Sequence, residues 1–184
     1  MQTGRLIILT GPSGVGKGTL LRLLLKKHPE LCLSISATTR QPRPGEIDGQ
    51  DYYFVSRQKF EQMVTNNELL EWAEYAGNYY GTPRPPVEQL LQQGKSVILE
   101  IEVVGANKVK KSFPQVERIF ILPPSLTELE QRMRGRAKDS DEAIAKRLSI
   151  AKSELEQSDQ FDWQIVNEDK QKALEEIEEA IFSE

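Results

Sequence analysis

The sequence predicts an α/β fold in which a parallel sheet is flanked by helices. Apolar runs of strand length alternate along the chain with segments whose apolar residues recur at helical spacing. The length of 184 residues and the hydrophobic content of 38% are enough to bury one sizeable core. We therefore expect one domain, with a small inserted lobe and a mobile flap where the alternation is interrupted.

Five apolar runs are the candidates for the central sheet. They share a length of a few residues and a boundary of turn-forming or polar residues on each side. The predicted strands are Leu6–Thr10, Leu31–Ser36, Ser96–Ile101, Val116–Leu122 and Gln164–Val166.

The helices between these strands have recognisable ends. The first begins near Gly16 and ends at His28, because a residue that precedes a proline is disfavoured in helical geometry. Ser125 and Glu128 form the pattern of a capping box, which opens a helix through Arg134. A last helix, Lys170–Phe182, closes the chain.

Two segments interrupt the alternation. Residues 37–82 are rich in proline, glycine and tyrosine, with short aromatic strand candidates around a helix from Ser56 to Asn66, which predicts an inserted α+β lobe. Residues 135–141 are polar and lie between two helical patterns, which predicts a mobile flap. This arrangement is common in enzymes that must exclude water.

Composition and charge exclude several classes of function. A net charge of −4 argues against a general binder of nucleic acid or anionic membranes, which usually has a basic surface. No run approaches the ~20 apolar residues of a membrane helix. The single cysteine, Cys32, is expected as a buried strand thiol, which is compatible with a reducing compartment. We expect a soluble, cytoplasmic protein, whose oligomeric state the sequence leaves open.

The stretch TGPSGVGKGTLL, residues 10–21, has the Gly-x4-Gly-Lys pattern of a phosphate-binding loop. Such a loop directs backbone N–H groups and a helix N-terminus toward an anion, and Lys17 would reach the β and γ phosphates. The alternative is a plain glycine-rich turn, which is disfavoured because a strand precedes it and a helix follows it. The expected nucleotide ligands are Gly11, Pro12, Ser13, Gly14, Val15, Gly16, Lys17, Gly18 and Thr19.

Residues after the second predicted strand favour recognition of a second nucleotide. Arg40 and Arg43 lie three residues apart, and arginine forks match phosphate oxygens, although a solvated basic turn is the alternative. Glu71 offers a carboxylate that accepts from both N1–H and the 2-amino group of guanine, whereas adenine has an acceptor at N1. The Thr82 hydroxyl would donate to guanine O6. Together these side chains predict a guanine monophosphate site.

The motifs GPSGVGKGT, SATTRQPRPGE, DGQDYYFVS, ELLEWAEYAGNYYGTP, ILEIEVVGA, IFILPPS and RMRGRAKDSDEAIAKRL follow one another in the order and spacing of guanylate kinases. The resemblance covers nearly the whole chain. It implies transfer of the γ-phosphoryl group of ATP to GMP by a P-loop kinase fold. It also implies a single domain over 1–184, with a core at 1–36, 83–131 and 148–184, a GMP-binding lobe at 37–82 and a lid at 132–147.

The resemblance also implies roles for individual positions. The matching ligands of the GMP phosphate are Ser36, Arg40, Arg43, Tyr52 and Tyr80, and those of guanine are Glu71, Thr82 and Glu102. The matching groups around the transferring phosphoryl are Lys17, Arg132, Arg136 and Arg147, and Asn167 matches a position near the adenine.

Three positions depart from the common family pattern. Many members have Ser where this chain has Gly18, and Asp where it has Glu100 and Glu102. Because strand residues two apart share a face, both carboxylates are still expected on one side. Thr19 and Glu100 are therefore the predicted positions for Mg²⁺.

Two other functions are compatible with parts of the pattern. One is a guanylate-kinase-like protein-binding module without turnover, but such modules usually have a damaged phosphate loop. The other is a different nucleoside monophosphate kinase, which the GKGT ending of the loop also allows. Small-molecule substrates, GMP and ATP, are the expected partners.

Overall fold

A computed structural model describes residues 4–75, 77–136 and 140–182 of the chain. The strands are β1 Leu6–Thr10, β2 Cys32–Leu33, β3 Ala37–Thr38, β4 Tyr53–Phe54, β5 Leu69–Tyr75, β6 Asn78–Pro83, β7 Val97–Glu100, β8 Glu117–Leu122 and β9 Trp163–Val166. The helices are α1 Lys17–Lys27, α2 Arg57–Thr65, α3 Arg84–Gln92, α4 Val103–Ser112, α5 Leu126–Arg136, α6 Asp141–Leu155 and α7 Lys170–Phe182.

The main sheet has five strands in the order β2-β7-β1-β8-β9. Strands β2 and β7, β1 and β8, and β8 and β9 pair in parallel. The apolar side chains of β1 are buried, as are Ile119, Phe120 and Ile121 of β8. Continuous apolar runs of this kind are typical of sheets that are covered on both faces. The predicted α/β fold is confirmed.

The register of the sheet sets where functional residues lie. Thr10 at the end of β1 is opposite Phe120, and Leu122 at the end of β8 is opposite Val166 at the end of β9. Because parallel strands end at the same edge, the loop after β1 and Asn167 after β9 come together there. That edge is where open α/β sheets bind ligands.

The second predicted strand is shorter than expected. Only Cys32–Leu33 belongs to the main sheet, because the following residues turn away and Ala37–Thr38 pair in a second sheet. The short strand lies at the edge of the sheet, and Cys32 is consequently half-buried rather than buried.

Helix ends follow the local signals in the sequence. Helix α1 is capped at His28, directly before Pro29, as predicted. Ser125 Oγ accepts from the Glu128 N–H at 3.0 Å, which confirms the capping residue of α5. The Glu128 carboxylate accepts from Arg132 Nε at 2.9 Å. Ser56 caps α2 in the same way, through the Lys59 N–H at 3.1 Å.

A second sheet has the order β4-β3-β6-β5 and lies within the predicted insert. Its strands β5 and β6 form an antiparallel hairpin, and helix α2 packs on the sheet through the fully buried Phe60. The ring of Phe60 meets Tyr79 at 5.3 Å and Trp72 at 6.4 Å between centroids. Aromatic packing therefore gives this sheet a small core of its own.

The chain divides into two compact units. Among the described residues, the first unit comprises 4–6, Leu31–Leu99 and Val104–Val116, and the second comprises Ile7–Glu30, Glu100–Val103, 117–136 and 140–182. No helix in the described ranges combines the length and the apolar character that crossing a membrane requires.

Candidate active site

The loop after β1 closes around the side chain of Lys17, the first residue of α1. Lys17 Nζ donates to the carbonyl oxygens of Gly11 and Pro12, the latter at 3.2 Å. A Cβ built on Gly11 would overlap the Ile121 carbonyl oxygen, so this position has no room for a side chain. The N–H groups of Thr19 and Leu20 donate to the Gly16 carbonyl oxygen at 3.1 Å, which closes the first turn of α1. The N-terminus of a helix that follows such a loop favours an anion.

The electrostatics of Lys17 combine burial with nearby carboxylates. Burial lowers the pKa of Lys17 below its ordinary value, although Glu100, Glu154 and Glu102 each raise it. Burial has the opposite effect on the carboxyl group of Glu154 in α6 and raises its pKa to about 7, although Lys17 lowers it. The second unit thus holds an ammonium group among carboxylates beside the loop.

The carbonyl of Val15 is the anchor of the loop. It accepts from Asn167 Nδ2 at 2.8 Å and from Arg132 Nη1 at 3.3 Å. Arg132 Nη2 also donates to the Asn167 carbonyl oxygen at 3.1 Å. Gly16 follows with a φ of 105°, and a Cβ there would lie 2.5 Å from Asn167 Nδ2. Only glycine suits this position, so the anchor and the loop sequence depend on each other.

Two of the three predicted catalytic arginines contact the phosphate loop in the described part of the structure. Arg147 of α6 donates from Nη2 to Ser13 Oγ of the loop at 2.8 Å. Arg132 lies at the loop anchor. Arg136 ends α5, and its side chain lies outside the described part of the structure, as do residues 137–139 of the predicted lid.

Oxygen atoms suited to Mg²⁺ lie at the start of α1. A Cβ built on Gly18 would lie 4.0 Å from Glu100 Oε1, so that carboxylate faces the start of α1 at Gly18. The Thr19 hydroxyl lies one residue further and accepts from Arg22 at 3.4 Å. The described residues include no cluster of three or more His, Cys, Asp or Glu side chains that could hold a metal. This donor set fits Mg²⁺, which binds through few protein oxygens and takes the rest from phosphates and water.

The predicted phosphate-binding residues of the first unit cluster around Arg40. Its two terminal nitrogens donate to the two oxygens of Glu46, at 2.8 and 3.0 Å. The Tyr80 hydroxyl interacts with the same guanidinium, which also lies 5.4 Å from the ring centroid of Tyr52. The structure therefore brings Arg40, Tyr52 and Tyr80 together. The Arg43 side chain is exposed, and its backbone N–H donates to Glu46 at 2.6 Å.

The predicted guanine residues Glu71 and Thr82 form a buried pair in the same unit. Thr82 Oγ1 donates to Glu71 Oε1 at 2.7 Å, and the two residues are opposite each other in the β5–β6 hairpin. A β-bulge between Leu69 and Glu71 shifts the register by one residue to make that pairing. Ser36 is half-buried beside β3, whereas Glu102 is exposed.

Two residues of the site, Glu46 and Glu154, were not predicted from the sequence, and neither was the contact of Asn167 with the loop. Glu46 binds Arg40 by both oxygens, and the only signal for it was a carboxylate three residues after Arg43 in a turn. The amide of Asn167 anchors the loop across 152 positions of sequence, for which no local signal exists. Glu154, a coulombic neighbour of Lys17, lies on a helix that otherwise has an ordinary charged pattern.

The fold and the phosphate loop define a protein of the P-loop kinase class. The family model of guanylate kinase matches residues 3–184, and the chain belongs to the guanylate kinase family. The guanylate kinase of Thermosynechococcus vestitus is 62% identical over 182 residues, which cover 99% of this chain and 95% of that protein. The guanylate kinase of a Nostoc species is 62% identical over 180 residues, 98% of this chain and 90% of that protein.

A solved structure gives the same assignment. The crystal structure of guanylate kinase from Anaplasma phagocytophilum has a TM-score of 0.77 and 36% identity to this chain, covering 96% of this chain and 83% of that one. The resemblance drawn from the motifs is thereby confirmed. The roles of individual site residues stay predictions.

We predict that Glu154→Gln removes a pH dependence of stability. Burial raises the folded-state pKa of Glu154 to about 7, above the ordinary value of 4.5. A carboxyl group with a raised pKa stabilises the fold below the unfolded pKa, and this contribution is lost as pH rises toward 7. The free energy of unfolding should fall between pH 5 and 7 by about 1–2 kcal/mol more in the unmodified protein than in the variant.

Denaturant titrations at several pH values measure this difference. Glu156→Gln, at an exposed position just after α6, is the matched control and should follow the unmodified protein. Parallel pH curves for the unmodified protein and Glu154→Gln would contradict the prediction.

Proposed function

We propose that this chain is a guanylate kinase that transfers the γ-phosphoryl group of ATP to GMP, giving ADP and GDP, in purine nucleotide metabolism. Family membership supports the reaction, and one observation supports the acceptor. The buried carboxylate of Glu71, held by Thr82, offers acceptor-only chemistry. Such a group matches the adjacent N1–H and 2-amino donors of guanine and would repel the N1 acceptor of adenine.

The phosphate loop holds the donor in this proposal. The N–H groups of the loop and of the first turn of α1 bind phosphate oxygens, and Lys17 neutralises their charge. Asn167 and Arg132 keep the loop in shape through Val15. Thr19 and Glu100 would hold Mg²⁺, which supplies neutralisation of the developing phosphate charge when it is bound.

Arg40 is the main candidate for holding the acceptor phosphate. Glu46 fixes the plane of its guanidinium from one side, and Tyr80 and Tyr52 lie beside it. A guanidinium held in one orientation loses less freedom when it binds an anion than a free one would. Arg43 and Ser36 complete the proposed set of phosphate ligands in the first unit.

The chemistry needs positioning and charge rather than a general base. A GMP phosphate oxygen is already anionic near neutral pH, so the nucleophile needs no deprotonation. Catalysis then depends on aligning donor and acceptor and on stabilising charge at the transferring group. Arg147, which contacts the loop through Ser13, and Arg132 and Arg136 are the proposed cations for that charge. Water must be excluded because it is a competing acceptor.

We expect the purified protein with MgATP to phosphorylate GMP far faster than AMP, CMP, UMP or dTMP. The reason is the match between the Glu71 carboxylate and the two adjacent donors of guanine. A coupled assay of ADP release over that panel measures the preference. Equal rates with AMP would refute the guanine assignment, and no turnover with intact GMP binding would favour the binding module.

Lys17→Ala should abolish turnover while GMP still binds. The variant removes the ammonium group that the loop encloses without touching any proposed GMP ligand. Steady-state kinetics and calorimetric titration with GMP separate the two effects. Lys26→Ala, an exposed position on the same helix, should retain activity. Activity close to normal in Lys17→Ala would place phosphate neutralisation elsewhere.

Glu71→Gln should weaken GMP binding by roughly 1–3 kcal/mol, the scale of hydrogen bonds to a charged group. An amide has one acceptor oxygen and cannot accept both guanine donors as a carboxylate does. Calorimetric titration with GMP gives the change. Glu74→Gln, exposed on the same strand, is the control. Unchanged affinity in Glu71→Gln would assign that carboxylate a structural role.

A further inference from the structure

The carboxylate of Glu71 is confined from two directions within the first unit. Oε1 accepts from the Thr82 hydroxyl at 2.7 Å, and the residue is only 9% exposed. The other oxygen faces the first turn of α4. A Cβ built on Gly105, the third residue of that helix, would lie 2.8 Å from Glu71 Oε2, 3.1 Å from its Cδ and 3.3 Å from its Cγ.

A carbon atom at that position would overlap the carboxylate. Contacts between non-bonded carbon atoms are most favourable near ~3.5–4.0 Å. A methyl group at this position would therefore require a shift of the Glu71 carboxylate, which accepts from Thr82 at 2.7 Å. The close contact is made by the carboxyl end of Glu71, which is the part proposed to bind guanine. A side chain at position 105 would therefore displace the recognition group itself.

Local helix energetics do not explain glycine at this position. Gly105 is the third residue of a regular α-helix, where glycine has a lower helix propensity than Ala. Its neighbour Ala106 is fully buried and Val104 is 59% exposed, so the helix accepts larger residues on either side. The space taken by the Glu71 carboxylate is the constraint that remains.

We propose that Gly105 is a positioning residue for guanine specificity. Because position 105 has no side chain, the Glu71 carboxylate can lie against α4 while one of its oxygens accepts from Thr82. These two contacts hold the plane of the carboxylate in the orientation that accepts from the two guanine donors. The inference rests on the proposed function, because it assigns Gly105 an effect on GMP through Glu71. It assigns no role toward ATP.

The first test is Gly105→Ala. We expect GMP to bind about tenfold more weakly or worse, because the hydrogen bonds of a displaced carboxylate are lost. The KM for ATP at saturating GMP should stay within about twofold, the range of substitutions away from a site. Val104→Ala, exposed on the same helical turn, should stay within about twofold for both nucleotides. Unchanged GMP affinity in Gly105→Ala, or equal losses for GMP and ATP, would overturn the proposal.

A double-mutant cycle with Glu71→Ala tests whether Gly105→Ala weakens GMP binding through the Glu71 carboxylate. Once the Glu71 side chain is removed, Gly105→Ala should change the dissociation constant for GMP by less than about twofold, because nothing remains to be displaced. The same loss in both backgrounds would overturn the proposal. If Gly105→Ala alone does not fold, the double variant should fold, since the added methyl group then occupies vacated space. A double variant that also fails to fold would overturn it.

The unmodified protein separates this inference from the function on which it rests. Absence of GMP phosphorylation by the unmodified chain would refute the proposed function. Normal GMP phosphorylation by the unmodified chain together with unchanged GMP affinity in Gly105→Ala would refute the role of Gly105 alone.

Discussion

The hydrogen bonds to the Val15 carbonyl oxygen fix the shape on which the donor half of the site depends. A loop that directs several N–H groups at one anion is useful only if its curvature exists before the anion arrives. Asn167 and Arg132 impose that curvature from the end of β9 and from α5. Only glycine fits at position 16 beside the Asn167 amide, so the loop sequence depends on this anchor. The anchor in turn depends on the parallel sheet, because Asn167 directly follows β9. The register between β8 and β9 then sets the position of the loop.

The positive charge of Lys17 is compensated by the groups that lie around it. Lys17 is buried, which lowers its pKa, yet the carbonyls of Gly11 and Pro12 accept its hydrogen bonds and carboxylates surround it. A buried ammonium without such partners would be strongly destabilising. These partners stabilise the Lys17 ammonium inside the loop before an anion binds. In the proposed donor site, phosphate oxygens would meet an ammonium that is already desolvated, so little of the interaction would be lost to removal of water.

Sequence reasoning succeeded where the cause is local and failed where it is tertiary. The strands β1 and β8 and the serine cap of α5 were predicted because apolar runs and capping hydrogen bonds involve neighbouring residues. The predicted strand Leu31–Ser36 was too long because a second sheet competes for its end. Glu71 and Thr82 were predicted from chemistry, but the bulge that makes them opposite each other depends on pairing between strands, which one sequence does not reveal.

The contact between Glu71 and Gly105 explains why a motif captures only part of a recognition site. A carboxylate is an acceptor in every orientation, so its identity alone already disfavours a base with an acceptor at N1. Discrimination between guanine and adenine is strong only when the carboxylate is held in place. A fixed carboxylate is left buried and unpaired when the wrong base binds, whereas a mobile one would rotate into solvent and avoid that cost. Thr82 holds one oxygen, and the space above Gly105 admits the other without allowing anything larger. In the proposed guanine site, specificity depends on the space beside Gly105 as much as on the Glu71 carboxylate.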